Sequence, residues 1–174
     1  MIFASTAAMG ATAQTADNFK YNDEKFADIQ MLRYKVEGFD KLTLKEKTFI
    51  YYLQEAALQG RDILFDQNGR YNLRIRRMLE AVYTHYAGNK NDKFYKGLTT
   101  YLKRVWFSSG IHHHYGCEKF QPEFGAADFR AALKQVPVAE LPLADGQTVD
   151  QLCDEVFPVI FDPCLLYTSD AADD

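Results

Sequence analysis

The chain has 174 residues, 47% of them hydrophobic, with 13 Phe and 11 Tyr against a single Trp. That is enough apolar material to bury a core, and too aromatic for an intrinsically disordered chain; the length fits one domain or a large part of one. Twenty Lys and Arg face 24 Asp and Glu, a mild imbalance with no broad electrostatic pull on nucleic acid or anionic membrane, and no apolar run is long enough to span a bilayer.

The segment 1–16 is small and apolar, with Ile2, Phe3, Ala7, Ala8 and Met9, and it closes on Ala11-Thr12-Ala13, the A-x-A pattern that signal peptidase cuts. It reads as the remnant of a signal peptide without a basic n-region, the first Lys being Lys20. A disordered Ala/Thr-rich terminus is the alternative reading. A working signal implies a periplasmic or secreted protein, and otherwise a cytoplasmic one.

From residue 17 onward apolar residues recur at helical spacing and strand-like alternation is scarce, so the fold class is expected to be mostly α. Phe26, Ile29 and Leu32 predict a short first helix. Thr43-Leu-Lys-Glu46 is a capping-box pattern opening a second helix, with Phe49, Leu53, Ala56 and Leu64 on one face, running to about Leu64 and stopping at Asp66-Gln-Asn-Gly69. Asn72 is placed to cap a third, with Ile75, Leu79, Val82 and Tyr86 as its stripe and Gly88-Asn89 at its end. Arg74, Arg76 and Arg77 on that helix read as a solvated or salt-bridged face.

A fourth helix is predicted from Asp92 to Phe107, with Phe94, Leu98, Tyr101 and Val105 in register, ending at Ser108-Ser-Gly110. Phe129, Leu133 and Val136 mark a fifth, broken by Pro137. Thr148 to Gln151 offers another capping box for a short helix ending near Val156, and Phe157-Pro-Val-Ile-Phe161 reads as an extended apolar segment that stops without a partner, as if the native chain continued.

The last stretch, 164–174, reads Cys-Leu-Leu-Tyr-Thr-Ser-Asp-Ala-Ala-Asp-Asp and resembles the in-frame translation of a sequencing-library adapter; a natural acidic tail is the other reading. Setting it aside removes three acids and one Cys, so the body is close to neutral. Cys117 and Cys153 then remain, in no metal-finger spacing, and two idle thiols are expected rather than a disulfide.

The loop between the fourth and fifth helices carries His112-His113-His114-Tyr115-Gly116. Three consecutive His cannot all face one metal from regular structure, because a helix places neighbours about 100° apart and a strand sends them to opposite sides. Hydrogen bonding or ligand contact is the expected role, and no metal ligand or catalytic residue is expected among this chain's residues. Every His is followed by His or Tyr, and the chain has no G-x-S-x-G, P-loop or G-x-G-x-x-G motif.

Two segments carry a likeness to a known family: Glu55-Ala-Ala-Leu-Gln-Gly-Arg-Asp-Ile-Leu-Phe-Asp-Gln-Asn-Gly69, and Tyr101-Leu-Lys-Arg-Val-Trp-Phe-Ser-Ser-Gly-Ile-His-His-His-Tyr-Gly116 followed by Lys119-Phe-Gln-Pro122. Over residues 26–136 the chain resembles the N-terminal region of dipeptidyl peptidase III, a zinc exopeptidase, in particular its Bacteroidetes-type branch. The resemblance implies a two-lobed enzyme, with 17–163 a truncated, helical N-terminal part of the lower lobe. It also implies a catalytic Zn2+ held in the other lobe by an H-E-x-x-G-H helix and a further Glu, none of which is present here. It implies a short peptide as substrate, from whose N-terminus dipeptides are released, and a monomeric enzyme. On that likeness His114 and Tyr115 match residues that contact the peptide, with His112, His113 and Gly116 completing the loop; Cys117 and Glu118 depart from the eukaryotic pattern. A secreted helical binding module with a His-rich metal- or ligand-binding loop is the alternative.

Overall fold

The computed structural model describes residues 18–116 and 118–165. Readings that fall on 1–17, on Cys117 and on 166–174 lie outside the described residues. The chain divides into two compact units, Met1–Lys41 and Leu42–Asp174.

The first unit holds a two-stranded antiparallel hairpin, β1 (Asn22–Phe26) and β2 (Ile29–Leu32), with Phe26 opposite Ile29 and Lys25 opposite Gln30. This corrects the expected first helix. Phe26, Ile29 and Leu32 are three apart, which suits a helical turn, but the same spacing arises when two strands flank a two-residue turn. Ala27 in that turn takes φ 49°, the positive value that tight hairpins require. A register shift between Asn22 and Lys25 marks a bulge.

The second unit is helical: α1 (Leu44–Gln59), α2 (Arg61–Gln67), α3 (Asn72–His85), α4 (Lys93–Ser108), α5 (Ala126–Leu133) and α6 (Val149–Phe161). The chain is therefore mostly α, as composition and periodicity indicated. Among the described residues no helix is long and apolar enough to cross a membrane.

The capping box of α1 forms as predicted: Glu46 N–H donates to Thr43 Oγ1 at 3.4 Å and Thr43 N–H donates to Glu46 Oε2 at 2.8 Å. The helix does not run on to Leu64. Gly60, a poor helix former, interrupts it, and its N–H turns back to Ala57 O at 3.1 Å. Nor does α1 present one buried stripe. It has no buried residue, and Phe49, Tyr52 and Leu53 are more than half exposed. At 100° per residue Tyr52, Phe49, Leu53, Ile50 and Tyr51 point in successively different directions, so no single neighbouring surface covers them.

α3 and α4 follow the predicted registers. Ile75, Leu79 and Val82 of α3 and Leu98, Leu102 and Val105 of α4 are completely buried. Asp92 caps α4 by accepting from Tyr95 N–H at 2.7 Å and also accepts from the Tyr86 hydroxyl at 2.6 Å. Phe129 and Leu133 of α5 and Leu152, Val156 and Ile160 of α6 complete the core. The arginines of α3 are paired: Arg74 with Glu155 at 2.7 Å, and Arg76 and Arg77 with Asp62 at 2.6 and 2.9 Å. Arg76 also lies over the buried Phe65 ring at 4.6 Å.

The segment read as extended, Phe157–Phe161, is the last part of α6. Pro158 sits inside the helix, where it removes one backbone donor. The carbonyl that loses its partner belongs to Asp154. Leu152, Cys153, Val156, Phe157 and Ile160 keep the helical spacing of a buried face. Cys153 is a free thiol there, and burial pushes its pKa upward, as expected of an inert core cysteine.

These differences set a stability contrast. In urea unfolding, Leu98→Ala is expected to cost about 2–5 kcal/mol, as for a fully buried aliphatic side chain, and Thr148→Ala about 1 kcal/mol through loss of the α6 capping box. Phe49→Ala, on exposed α1, is expected to stay within about 0.5 kcal/mol of the parent chain.

Candidate functional site

The His-rich loop begins where α4 runs out. Ser109 takes a left-handed conformation, φ 53°, and its N–H and that of Gly110 both return to Val105 O, which closes the helix. The chain then reverses in a narrow hairpin. Ile111 O accepts from Phe120 N–H at 2.8 Å, His112 pairs with Lys119 across the two arms, and His113 N–H donates to Glu118 O at 2.8 Å. At the tip Gly116 N–H donates to His113 O at 3.1 Å, so His113 to Gly116 form a four-residue turn with His114 and Tyr115 at its corners.

Burial of Ile111 and Phe120 anchors both arms in the core. Lys119 reaches from the outgoing arm to the carbonyls of Asp162 and Leu165 at the end of α6, where a cation is favoured. The incoming arm is held from the α2–α3 turn. Asn72 Oδ1 accepts from Ile111 N–H at 3.3 Å, and Asn68 Nδ2 donates to Ser109 O at 3.3 Å. Asn72 thus does not cap α3, as its position at the helix start led us to expect. Tyr71 occupies the N-cap without a side-chain bond, and the buried carboxamide of Asn72 is spent on the loop instead.

The predicted residues separate by role. His112 is half-buried in the arm. His113, His114 and Tyr115 form a ring cluster: His113 stacks on His114 with centroids 4.6 Å apart and planes 29° from parallel, and Tyr115 follows at 4.3 Å from His114. Phe107, at the end of α4, closes the cluster edge-on against His114 at 5.0 Å. Tyr115 is 91% exposed, the most open aromatic of the loop. Gly116 contributes only backbone. Neither the Phe107 contact nor the Asn72 contact was legible from spacing: Phe107 reads as a helix-end residue, Asn72 as a cap, and the Asn72 contact spans 39 positions.

Concavities on the helical body have other linings, such as one of about 350 Å3 bordered by Arg77, Glu80, His85 and Glu140, and one of about 490 Å3 bordered by Arg130, Cys153, Phe157 and Phe161. Comparison with protein-family models gives no match, and comparison with curated proteins gives none.

Burial, and secondarily the Lys119 charge, lowers the pKa of His112 from its ordinary 6.5. The unfolded chain therefore takes up a proton at that position at higher pH than the folded chain does. Stability contributed here is complete above the unfolded pKa and is lost as pH falls from about 7 toward 5, levelling once the folded imidazole protonates. Asp62, Asp92 and Asp150, whose pKa values are lowered chiefly by bonds to Arg76, Tyr86 and Lys134 respectively, lose stability only below about pH 4. The expected outcome in pH-dependent urea unfolding is a slope between pH 7 and 5 that His112→Gln reduces, with the acid limb below pH 4 unchanged.

Proposed function

We propose that this chain is the N-terminal, peptide-binding portion of a zinc-dependent dipeptidyl peptidase that releases dipeptides from the N-terminus of short peptides, and that it is inactive by itself. The observation that carries the reading is the anchored turn presenting His114 and Tyr115. Both arms are fixed in the core while the tip exposes the rings of His114 and Tyr115, with His113 Nδ1 accepting from Tyr115 N–H at 3.3 Å inside the turn, an arrangement suited to stacking on a substrate side chain and hydrogen-bonding a peptide. The likeness of 101–116 to the corresponding part of dipeptidyl peptidase III supports the same reading.

On this reading the zinc ligands lie outside this chain. Among the described residues no three His, Cys, Asp or Glu side chains converge as a metal set. Within the loop, an imidazole donates its lone pair in the plane of its ring, and the planes of His113 and His114 lie only 29° apart in a stack. One ion cannot lie in both planes close to both nitrogens, which favours peptide contact over a metal-capturing module. No hydrolytic step is therefore assigned to residues of this chain; their part is to bind and orient.

The test uses the complete gene product. Zinc-dependent release of dipeptides from short peptides is expected. His114→Ala with Tyr115→Ala is expected to raise KM about tenfold or more with kcat little changed, the pattern of lost binding energy common to ground and transition states. An unchanged KM removes the loop from the substrate site. Absence of dipeptide release from the complete product removes the peptidase reading.

A further inference from the structure

The incoming arm of the loop is seated on an unusually close backbone contact. The Asn72 side chain is 4% exposed and lies between two buried glycines, Gly69 and Gly110. A Cβ built on Gly110 would stand 2.6 Å from Asn72 Nδ2, and one on Gly69 would stand 2.9 Å from the same atom, both inside the distance that non-bonded atoms tolerate. The carboxamide therefore fills the space between the α2–α3 turn and the α4 exit, leaving room only for glycine on either side. From that position Oδ1 takes the N–H of Ile111, and one turn earlier Asn68 takes the carbonyl of Ser109.

The consequence for the ring cluster is geometric. Residues 109–111 set the direction in which the hairpin leaves the core. Ile111 O is also the acceptor that pairs the two arms through Phe120 N–H. A residue that fixes Ile111 thus fixes the pairing, and through it the positions of His114 and Tyr115 three and four residues further on. We infer that Asn72 is a positioning residue for the peptide-contacting turn, acting through the backbone of Ile111 from a different helix, with Gly69 and Gly110 as the clearance it needs. This rests on the peptide-binding reading for its functional meaning, but not for its structural content.

Asn72→Ala removes the acceptor; Asn72→Asp keeps an oxygen in the same place. Amide hydrogen exchange on the 174-residue chain separates local from global effects. With Asn72→Ala the amides of Ile111 and Phe120 are expected to exchange on the order of tenfold faster, the loss of about one hydrogen bond. Leu98 and Leu102 amides in α4 are expected to keep their rates, and the cross-peaks between His114 and Phe107 ring protons to weaken. Asn72→Asp is expected to return the Ile111 rate toward that of the parent chain. Gly110→Ala, which drives a methyl into the carboxamide while leaving Asn72 in place, is expected to reproduce the Asn72→Ala pattern. Uniform acceleration across α3 and α4 would make Asn72 merely structural and overturn the inference, as would unaltered ring contacts. In the complete gene product the expected signature is a raised KM with kcat retained. Local release of the loop without any dipeptide release keeps the positioning role and removes the peptidase reading; dipeptide release with KM unaffected by Asn72→Ala does the opposite.

Discussion

The interface between α3 and α4 is the contact on which the helical unit depends. Six side chains, three from each helix, lie there with no exposure at all, each contributing roughly 1.5–3 kcal/mol of apolar burial. Both helices are set by ordinary local chemistry, a spaced apolar stripe and, for α4, the Asp92 cap. α5 and α6 then close the same core through Phe129, Leu152, Val156 and Ile160, and α6 brings its C-terminal carbonyls within reach of Lys119. The His-rich loop is held between these two results, its incoming arm against the α2–α3 turn and its outgoing arm against the end of α6.

α1 obeys a different rule. It has a complete capping box and good helix formers, so its local signals are as clear as those of α4. A periodicity argument that follows one chosen stripe finds Phe49, Leu53 and Ala56 on α1 as readily as it finds Leu98, Tyr101 and Val105 on α4. The difference lies in what occupies the remaining directions. α4 has Lys96, Lys103 and Arg104 outside its stripe, whereas α1 carries Ile50, Tyr51, Tyr52 and Leu58 there. The one-sided stripes of α3 and α4 made their packing legible in the sequence, whereas a helix with apolar residues in most directions is expected to be buried, so the exposure of α1 among the described residues does not follow from its sequence.

Two further misreadings have separate causes. Phe26, Ile29 and Leu32 satisfy helical spacing but belong to a hairpin with no buried residue, because a positive φ at Ala27, which side chains rarely adopt, is not signalled by an alanine in the sequence. Pro158 signals a break that does not occur, because the buried apolar face of α6 continues past it through Val159 and Ile160, and there tertiary burial outweighs the local cost. At the loop, residue types alone single out the cluster His112 to Gly116, whereas the seat that Asn72 provides was not legible, since an Asn before an apolar-periodic run looks like a cap.

The charges around the loop bear on what its tip can recognise. The cations closest to the arms are turned inward: Lys119 toward the α6 carbonyls, and the Arg104 guanidinium over the buried Phe120 ring at 5.2 Å. His112 is held toward its neutral form by burial. What is exposed at the tip is the ring of Tyr115 beside that of His114, on a turn closed by the Gly116 N–H to His113 O bond. Such a surface gains little from long-range attraction and much from close, oriented contact. Because Tyr115 is almost fully solvated in the described structure, stacking there gains apolar burial that the unliganded chain does not have.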